Sequence, residues 1–315
     1  MSLFDAPVLA HVVRGGAVES VHRGLAVVTT PGGAVAQAWG DPATPVFPRS
    51  SAKPMQAVAA LSVGAGLSGA ALALACASHS GEDAHLAGVR AMLAGAGLSE
   101  DDLDNTPARP IDEDALAAWL AAGLPAASVA QNCSGKHAGM LIACRAAGWP
   151  TVGYRDSGHP LQRLILATVE ELSGEPVSAV VVDGCGAPAH RLPLAGLARA
   201  FGRLAAAASG HERQVADAMR AHPWFVGGTG RPDTDLMRAV PGIIAKEGAE
   251  AVFAVGLPDG RGVAVKIADG ARAARVVAAG VLAGLGVDPD AVAGLGHLPV
   301  LGHGEPVGAV IAALG

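Results

Sequence analysis

One short segment of this sequence places a serine and a lysine three residues apart. Ser50 and Lys53 stand directly before an alanine-rich, helix-like run over residues 55–62. Residues three apart on a helix lie on one face, so we expect the hydroxyl and the amine to touch. A serine hydroxyl is a weak nucleophile until a base takes its proton, and lysine is such a base only when burial or a nearby positive charge lowers its pKa. The spacing therefore predicts a serine nucleophile that is activated by lysine.

The lysine content brings this interpretation level with a structural one. The same spacing is typical of an N-cap serine followed by a solvated lysine, and the motif alone is weak. Arginine, which cannot deprotonate, supplies nearly all of the ordinary positive charge of this chain. A lysine is therefore expected where a neutral amine or an ammonium is specifically needed. Of the 22 basic residues only four are lysines: Lys53, Lys136, Lys246 and Lys266.

Three further clusters of small polar residues stand at the ends of predicted elements and could converge on Ser50. They span residues 78–82, 132–137 and 183–186. The first is also typical of a helix-to-helix turn with serine caps, and Cys185 in the third is also typical of a buried small hydrophobic residue. The second cluster opens a predicted helix, whose N-terminal dipole would lower the pKa of a cysteine or lysine there.

Lys266 lies in the middle of a predicted strand. Alternation along this strand places Ala264, Lys266 and Ala268 on one face. A lysine on a solvent-facing strand surface is the usual case. If this part of the sheet instead faces Ser50, Lys266 would supply positive charge to the site, as the strand lysine does in enzymes built around Ser-x-x-Lys. The sequence leaves both alternatives open.

Composition restricts the class of protein. The chain has 315 residues, of which 51% are hydrophobic and 16% are charged, so a sizeable core is expected. A net charge of −6 without a basic stripe argues against nucleic acid as a partner. The first residues lack the basic start and apolar run of a signal peptide, and no apolar run reaches the ~20 residues of a membrane helix. We therefore expect a cytoplasmic protein with no membrane partner.

The four cysteines are expected to be free thiols or metal ligands in that compartment. No zinc spacing such as C-x-x-C is present, so the pattern alone does not indicate a metal. Cys133 and Cys185 could still form a metal site if the fold brings them together.

Predicted strands occupy both ends of the chain, and predicted helices occupy its middle. Short valine-rich strands fill about the first forty residues, and a Pro258-Asp259-Gly260 turn joins two strands near the C-terminus. One antiparallel sheet built from both termini, with a large helical insertion, is the simplest pairing, so the predicted fold class is α+β. We expect one catalytic domain, 1–315, with a sheet subdomain (about 1–50 and 243–315) and a helical subdomain (about 51–242).

In this order, the polar segments resemble the asparaginase II family, the Rhizobium-type or class 3 L-asparaginases. Each motif is weak alone, but the ordered set is specific and spans nearly the full chain. The resemblance implies a fold similar to serine β-lactamases and glutaminases. The residues that carry it are 49–54 (Arg-Ser-Ser-Ala-Lys-Pro), 76–82 (Cys-Ala-Ser-His-Ser-Gly-Glu), 132–137 (Asn-Cys-Ser-Gly-Lys-His), 183–185 (Asp-Gly-Cys) and 265–270 (Val-Lys-Ile-Ala-Asp-Gly).

The resemblance also implies a reaction, the hydrolysis of L-asparagine to L-aspartate and ammonia. Two serine–lysine pairs would form the catalytic centre, Ser50 with Lys53 and Ser78 with Lys266. Ser80 remains an alternative to Ser78. The sequence does not rank asparagine against glutamine or another small amide, because one methylene in a pocket is worth only about 1–3 kcal/mol.

A binding site and a metal site follow from the same resemblance. The amino-acid substrate would bind beside three polar residues: Arg49, His79 and Asp183. A zinc ion would be held by two cysteines and a lysine, namely Cys133, Lys136 and Cys185. The protein is further expected to form a homodimer.

Two alternatives from other classes remain. One is a different Ser-x-x-Lys acyl enzyme, such as a glutaminase or a β-lactamase-like enzyme, although the sequence lacks the Lys-Thr-Gly and Ser-Asp-Asn motifs of β-lactamases. The other is a non-catalytic homologue that binds a metal or an amino acid. The intact serines and lysines argue against the second alternative.

Overall fold

An antiparallel sheet forms the framework of the protein. The computed structural model describes residues 3–315 and contains, within them, an eight-stranded sheet and a three-stranded sheet. The strands are β1 (Val8–Arg14), β2 (Ala17–Thr29), β3 (Val35–Trp39), β4 (Pro45–Val46), β5 (Ala179–Val182), β6 (Pro188–Pro193), β7 (Ile244–Gly248), β8 (Val252–Gly256), β9 (Gly262–Ile267), β10 (Leu298–Gly302) and β11 (Glu305–Ala312).

The large sheet joins the two ends of the chain. Its order is β10-β11-β1-β2-β9-β8-β7, and β3 pairs with β2 outside this path. The central pairing of β2 with β9 sets Leu25 opposite Lys266. The predicted α+β class, with one antiparallel sheet built from N- and C-terminal strands, is therefore confirmed. The proposed division into two subdomains stays a prediction.

Most helices belong to the stretch between β4 and β7. The helices are α1 (Lys53–Ser62), α2 (Gly69–Ala75), α3 (Asp83–Gly95), α4 (Glu113–Ala121), α5 (Ser134–Ala147), α6 (Pro160–Ser173), α7 (Leu194–Ala206), α8 (Gly210–Ala221), α9 (Pro223–Val226), α10 (Pro232–Ala239), α11 (Ala274–Gly284) and α12 (Pro289–Gly296). None of the helices in residues 3–315 is both long and apolar enough to cross a bilayer.

Helix α7 packs directly on the large sheet because glycines allow its backbone to approach. A Cβ on Gly262 of β9 would lie 1.8 Å from the Ala198 carbonyl oxygen, and one on Gly256 would lie 2.1 Å from the carbonyl oxygen of Phe201. The β9 face that carries Gly262, Ala264 and Lys266 therefore looks toward the helical part of the chain. Lys266 therefore stands on the same face of the sheet as α7.

The small sheet, ordered β4-β6-β5, positions one of the polar clusters. Strand β5 ends at Val182, so residues 183–186 emerge from its end. Strand β4 lies just before Ser50, and its partner β6 follows the same cluster. This sheet thus brings Asp183 and Cys185 to the segment that carries Ser50.

Three strands of the large sheet differ from the sequence expectation. The sequence predicts two strands, Ala17–His22 and Leu25–Thr30, but residues 17–29 form one strand, because Gly24 continues the ladder opposite Ile267. Strand β7 was not predicted, since its short apolar start is followed by Lys246 and Glu247. Strand β10 was also missed.

The close approach of α7 generates a stability prediction. Gly262→Ala should lower the free energy of unfolding by about 1–3 kcal/mol, because the new methyl group overlaps the Ala198 carbonyl. Gly294→Ala is the matched control, since this exposed glycine inside α12 has open space around its Cβ position. There alanine should raise the free energy by roughly 0.5–1 kcal/mol. Urea unfolding measures both; a Gly262→Ala variant as stable as the parent would contradict this packing.

Candidate active site

Ser50 lies in a single turn of 3₁₀ helix, Arg49–Ala52, that leads directly into α1. Side chains three apart in such a turn eclipse one another, so Ser50 and Lys53 stand on one face of the turn. The expected contact between the hydroxyl and the amine is not observed, because the hydrogen bonds of Lys53 Nζ go to other residues. Ser50 is half-buried, and its hydroxyl has no hydrogen-bond partner among the residues that the structure describes. The neighbouring Ser51 is buried and donates a hydrogen bond of 2.9 Å to the Lys246 carbonyl. The turn is thus fixed through Ser51, which leaves the Ser50 hydroxyl available.

The amine of Lys53 is buried among three acceptors. Its Nζ donates to the Ala77 carbonyl oxygen at 2.5 Å, to Ser78 Oγ at 2.9 Å and to Cys133 Sγ at 3.1 Å. The residue is only 2% exposed. The pairing implied by the resemblance, Ser78 with Lys266, is therefore not the hydrogen bond observed: Ser78 binds Lys53. The reason is tertiary, because α1 packs beside the segment that follows α2.

This environment suits a lysine that gains and loses a proton. Burial lowers the pKa of Lys53, and the Cys133 sulfur opposes this effect in part. An ammonium has three hydrogens to donate, and the three acceptors match them. Lys53 can thus be deprotonated more easily than a solvated lysine, yet its protonated form is fully hydrogen-bonded when it is made.

Backbone hydrogen bonds hold the 78–80 segment on two sides. The N–H groups of Ser78 and Ser80 donate to the carbonyls of Val226 and Gly227, at 3.0 and 2.8 Å. The N–H of His79 donates to the Asn132 carbonyl at 3.1 Å. The segment is therefore tied both to the glycine-rich loop after α9 and to the start of α5.

The side chains of this segment have separate tasks. Ser80 donates to Glu82 at 2.6 Å, so its hydroxyl is directed to a carboxylate instead of to Lys53. His79 is fully buried and lies 2.8 Å from Ser134 Oγ. Burial, with help from the neighbouring His85, keeps the pKa of His79 well below its ordinary value. His79 thus acts as a neutral spacer behind Ser78, and its predicted contact with substrate stays a prediction.

Two cysteines and a lysine meet beside Lys53. Lys136 Nζ lies 3.0 Å from Cys185 Sγ, and Cys133 and Cys185 pack together with Ala187. A hydrogen bond with Cys185 lowers the pKa of Cys133 well below its usual value, and the two lysines add to this effect. Burial opposes the charge on Lys136, but the two sulfur atoms outweigh it and raise the pKa of Lys136. The three residues that the resemblance assigned to zinc are therefore neighbours.

An ion pair forms another wall of the site. Arg49 Nη2 lies 2.7 Å from Asp183 Oδ1, and Arg49 Nε donates to the same oxygen at 2.9 Å. Arg49 has a φ of 53°, a left-handed conformation that is strained for a residue with a side chain. The site therefore tolerates local strain in the residue directly before Ser50.

Lys266 reaches the edge of the site and not its centre. Its amine is half-buried and contacts the backbone carbonyl of Glu250. Burial lowers its pKa, the negative charge of Glu250 opposes this effect, and the positive charge of Arg49 adds to it. Its predicted catalytic role with Ser78 stays a prediction.

The remaining lysine, Lys246, is one of the four that the sequence marks as special, but the sequence assigns it no role. It is fully buried and paired with Asp233 at 2.6 Å. The signal that could have found it was the scarcity of lysine, which had marked all four as special positions. Its strand, β7, was not predicted, so no partner could be assigned to it.

The side chains near Lys53 limit the kind of metal site that could form there. Within residues 3–315 no three His, Cys, Asp or Glu side chains are grouped as metal ligands. A metal beside Lys53 would therefore need Lys136 as its third protein ligand, with Cys133 and Cys185 as the other two.

A comparison with known families bears on this geometry. The family described as L-asparaginase II matches residues 10–312 of the chain. The match therefore includes every residue of the site. No curated protein matches the sequence.

Solved structures with similar backbones are remote in sequence. A β-lactamase from Mycobacterium bovis is 16% identical with a TM-score of 0.45, over 90% of this chain and 98% of that chain. A putative β-lactamase from Bacteroides dorei is 15% identical with a TM-score of 0.38, over 77% and 84% of the two chains. Because both scores lie below 0.5, the fold assignment above rests on the topology of this chain alone.

The two buried amines at the centre should titrate in opposite directions. In metal-free protein labelled with ¹³C at lysine Cε, we expect Lys53 to titrate below the ordinary value of 10.5 and Lys136 to titrate above it. Four lysines give four resonances, which Lys53→Met and Lys136→Met variants assign. Titration of both amines at about the ordinary lysine value would contradict the burial and thiolate contacts described here.

Proposed function

We propose a specific reaction for this chain, which belongs to the L-asparaginase II family: hydrolysis of the side-chain amide of L-asparagine to L-aspartate and ammonia. The observation that carries the proposal is the buried Lys53 amine, hydrogen-bonded to Ser78 at 2.9 Å and three residues after a half-buried Ser50. A nucleophile, a base of lowered pKa and a second hydroxyl are the parts that acyl transfer from an amide requires.

In the acylation step, Ser50 Oγ attacks the amide carbon while neutral Lys53 takes the serine proton. The C–N bond then breaks, and the nitrogen must gain a proton to leave as ammonia. Lys53, now an ammonium, donates to Ser78, so Ser78 is suited to relay this proton to the leaving nitrogen. The products of the step are an ester on Ser50 and one ammonia.

In the deacylation step, water replaces Ser50 as the nucleophile, and Lys53 is again the base. Lys53 takes a proton from water, the hydroxide attacks the ester, and Ser50 recovers its proton as L-aspartate leaves. Ser50 suits the nucleophile role because it is the more exposed of the two serines, so a substrate amide reaches its hydroxyl more easily than that of Ser78.

Recognition of an amino acid is supported by the Arg49–Asp183 ion pair. An α-amino acid carries a carboxylate and an ammonium on the same carbon atom, and these charges complement a guanidinium and a carboxylate held together. Arg49 precedes Ser50 directly, so a head group bound there would present its side-chain amide close to the nucleophile. Bound this way, asparagine would have its α-carbon oriented and its amide free.

The proposal includes a zinc ion that is bound by three protein ligands: Cys133, Lys136 and Cys185. Two sulfur atoms and one nitrogen are a soft donor set that zinc accepts, with a fourth position left for water or substrate. Lys136 must lose its proton to bind the metal. When bound, zinc would polarise or orient a group of the substrate. The homodimer and the cytoplasmic location stay predictions from the sequence.

The two serines should respond differently to substitution. Ser50→Ala should lower ammonia release from L-asparagine by at least about a thousandfold, because the nucleophile is lost. Ser78→Ala should lower it by about a hundredfold, because only the proton relay is lost. Acid quenching followed by mass spectrometry should find the aspartyl ester on Ser50 in the parent and in Ser78→Ala.

Ser62→Ala, at the far end of α1, is the control and should keep full activity; its hydroxyl donates only to the Ala59 carbonyl. An ester on Ser78, or full turnover in Ser50→Ala, would remove Ser50 from the nucleophile role. A labelled penicillin that acylates the parent protein, together with no release of ammonia from asparagine, would favour the β-lactamase-like alternative.

The metal proposal is tested by metal content. After dialysis against zinc and removal of the excess, the parent protein should retain about one zinc per chain, and Cys185→Ser should retain almost none because a three-ligand site loses one sulfur. Cys144→Ser is the matched control, since this buried thiol lies on α5 and its pKa is raised to about 11 by burial alone. Equal zinc in all three proteins, or none in the parent, would contradict the assignment.

A further inference from the structure

A buried histidine stands beside the two cysteines, and the reaction above gives it no task. His137 follows Lys136 directly on α5, and it lies four residues after Cys133. Residues three and four apart on a helix share one face, so Lys136 and His137 both stand on the face that begins at Cys133. The His137 side chain is fully buried. A buried imidazole loses free energy unless its nitrogen atoms have partners, so the contacts of both nitrogens matter.

The Nδ1 atom of His137 is paired with a hydroxyl group. Nδ1 lies 2.8 Å from the hydroxyl oxygen of Tyr154. The same oxygen accepts a hydrogen bond of 3.2 Å from the backbone N–H of Asp104, a group that can only donate. Burial raises the pKa of Tyr154, so its hydroxyl keeps its hydrogen. Within residues 3–315, Nδ1 is the one acceptor bonded to this hydroxyl, so Tyr154 donates and Nδ1 carries no hydrogen.

The Nε2 atom of His137 has no partner in hydrogen-bonding geometry among the residues that the structure describes. Three titratable side chains act on the ring, and of these Lys53 and Lys136 are donors while Cys185 is an acceptor. Burial and Lys136 lower the pKa of His137 to about 3, and Cys185 opposes them only in part. The ring is therefore neutral, its hydrogen stands on Nε2, and the Cys185 sulfur is the acceptor for it.

The start of this chain of hydrogen bonds is tied to the turn that carries Cys185. Arg155 Nε donates to Asp104 Oδ2 at 2.7 Å, and Arg155 Nη1 donates to the Gly186 carbonyl at 3.2 Å. One guanidinium thus holds the segment that donates to the phenol and the residue that follows the cysteine. The phenol, the imidazole and the sulfur therefore belong to one connected group.

We propose that His137 and Tyr154 are positioning residues for the metal site: Tyr154 fixes the tautomer of His137, and His137 Nε2–H donates to the Cys185 sulfur when that sulfur is charged. The inference rests on the proposed zinc site for its effect on metal binding, but the tautomer is a property of the metal-free protein. Lys136 donates to the same sulfur at 3.0 Å, yet it must lose its proton to bind zinc. His137 is then the donor that remains, and it fixes the orientation of Cys185.

The tautomer is tested in the metal-free parent protein. In protein labelled with ¹⁵N-histidine, the chemical shifts of the ring nitrogens show which of them carries the hydrogen. A His137→Gln variant identifies the signals of His137 among the eleven histidines. We expect the hydrogen on Nε2 at neutral pH. In Tyr154→Phe, which keeps the ring but removes the hydroxyl, the Nδ1 signal should move toward that of an unprotonated nitrogen without a hydrogen bond, because its donor is lost.

Zinc affinity tests the contact with Cys185 without any measurement of activity. In competition with a chromophoric chelator, His137→Leu should bind zinc about tenfold to a hundredfold more weakly than the parent, because the sulfur loses its donor. His137→Gln can place an amide N–H close to the position of Nε2, so it should bind zinc within about fivefold of the parent. A purely structural role predicts the opposite order, since leucine is tolerated better than glutamine in a buried position.

His85→Leu is the matched control for the loss of a buried imidazole. His85 is also fully buried, and its ring stacks on Trp224 at 3.9 Å between the ring centres. Its Nε2 bonds to the Trp224 carbonyl at 3.0 Å, and no cysteine is among the groups that shift its pKa. This variant should keep the zinc affinity of the parent.

The outcomes separate this inference from the proposed function. A parent protein that binds no zinc counts against the proposed metal site, and the tautomer then still decides whether His137 can donate to Cys185. A hydrogen on Nδ1 of His137 overturns the inference, and so does a folded His137→Leu variant that binds zinc as tightly as the parent. If His137→Leu does not fold, Tyr154→Phe takes its place in the zinc measurement, and parent-like affinity there overturns the inference equally.

Discussion

The burial of one amine, that of Lys53, is the constraint on which the site depends. A charged amine in the core must be hydrogen-bonded on all sides or give up its proton. The Lys53 ammonium is hydrogen-bonded to Ala77, Ser78 and Cys133. Burial also lowers the pKa of this amine, so it loses its proton more easily than a solvated lysine. The helix that starts at Lys53, the segment that ends α2 and the start of α5 must therefore meet at one point.

The rest of the fold can be understood as the means of holding these three segments. The small sheet brings Asp183 and Cys185 to the Ser50 turn, and the edge strand β7 closes the turn from the other side. Glycines permit the closest approaches: Gly248 beside the turn, Gly228 beside Ser80 and Gly262 beneath α7. Small side chains thus let charged groups converge in a core that is otherwise apolar, which accounts for the low aromatic content of 3%.

Local pattern was enough to predict part of this arrangement. The strands at both ends, the β8–β9 hairpin and the shared face of Ser50 and Lys53 follow from periodicity, turn chemistry and helical spacing. The resemblance to a family added the neighbourhood of Cys133, Lys136 and Cys185, which spacing alone had left open. The partner of Lys53 could not be predicted, because it depends on how α1 packs against residues 76–80. The partner of Lys246 could not be predicted for the same reason, since its strand is recognisable only from its neighbours in the sheet.

The central claim is that Lys53 acts as a neutral base, and the pH dependence of turnover tests it most directly. With L-asparagine as substrate, kcat/KM should rise with pH through an ionisation below the ordinary lysine value of 10.5, because burial lowers the pKa of the group that must be neutral. Lys53→Arg should show no turnover at any pH, since arginine keeps its proton. A Lys53→Arg variant that turns over asparagine with the parent pH profile would contradict the account.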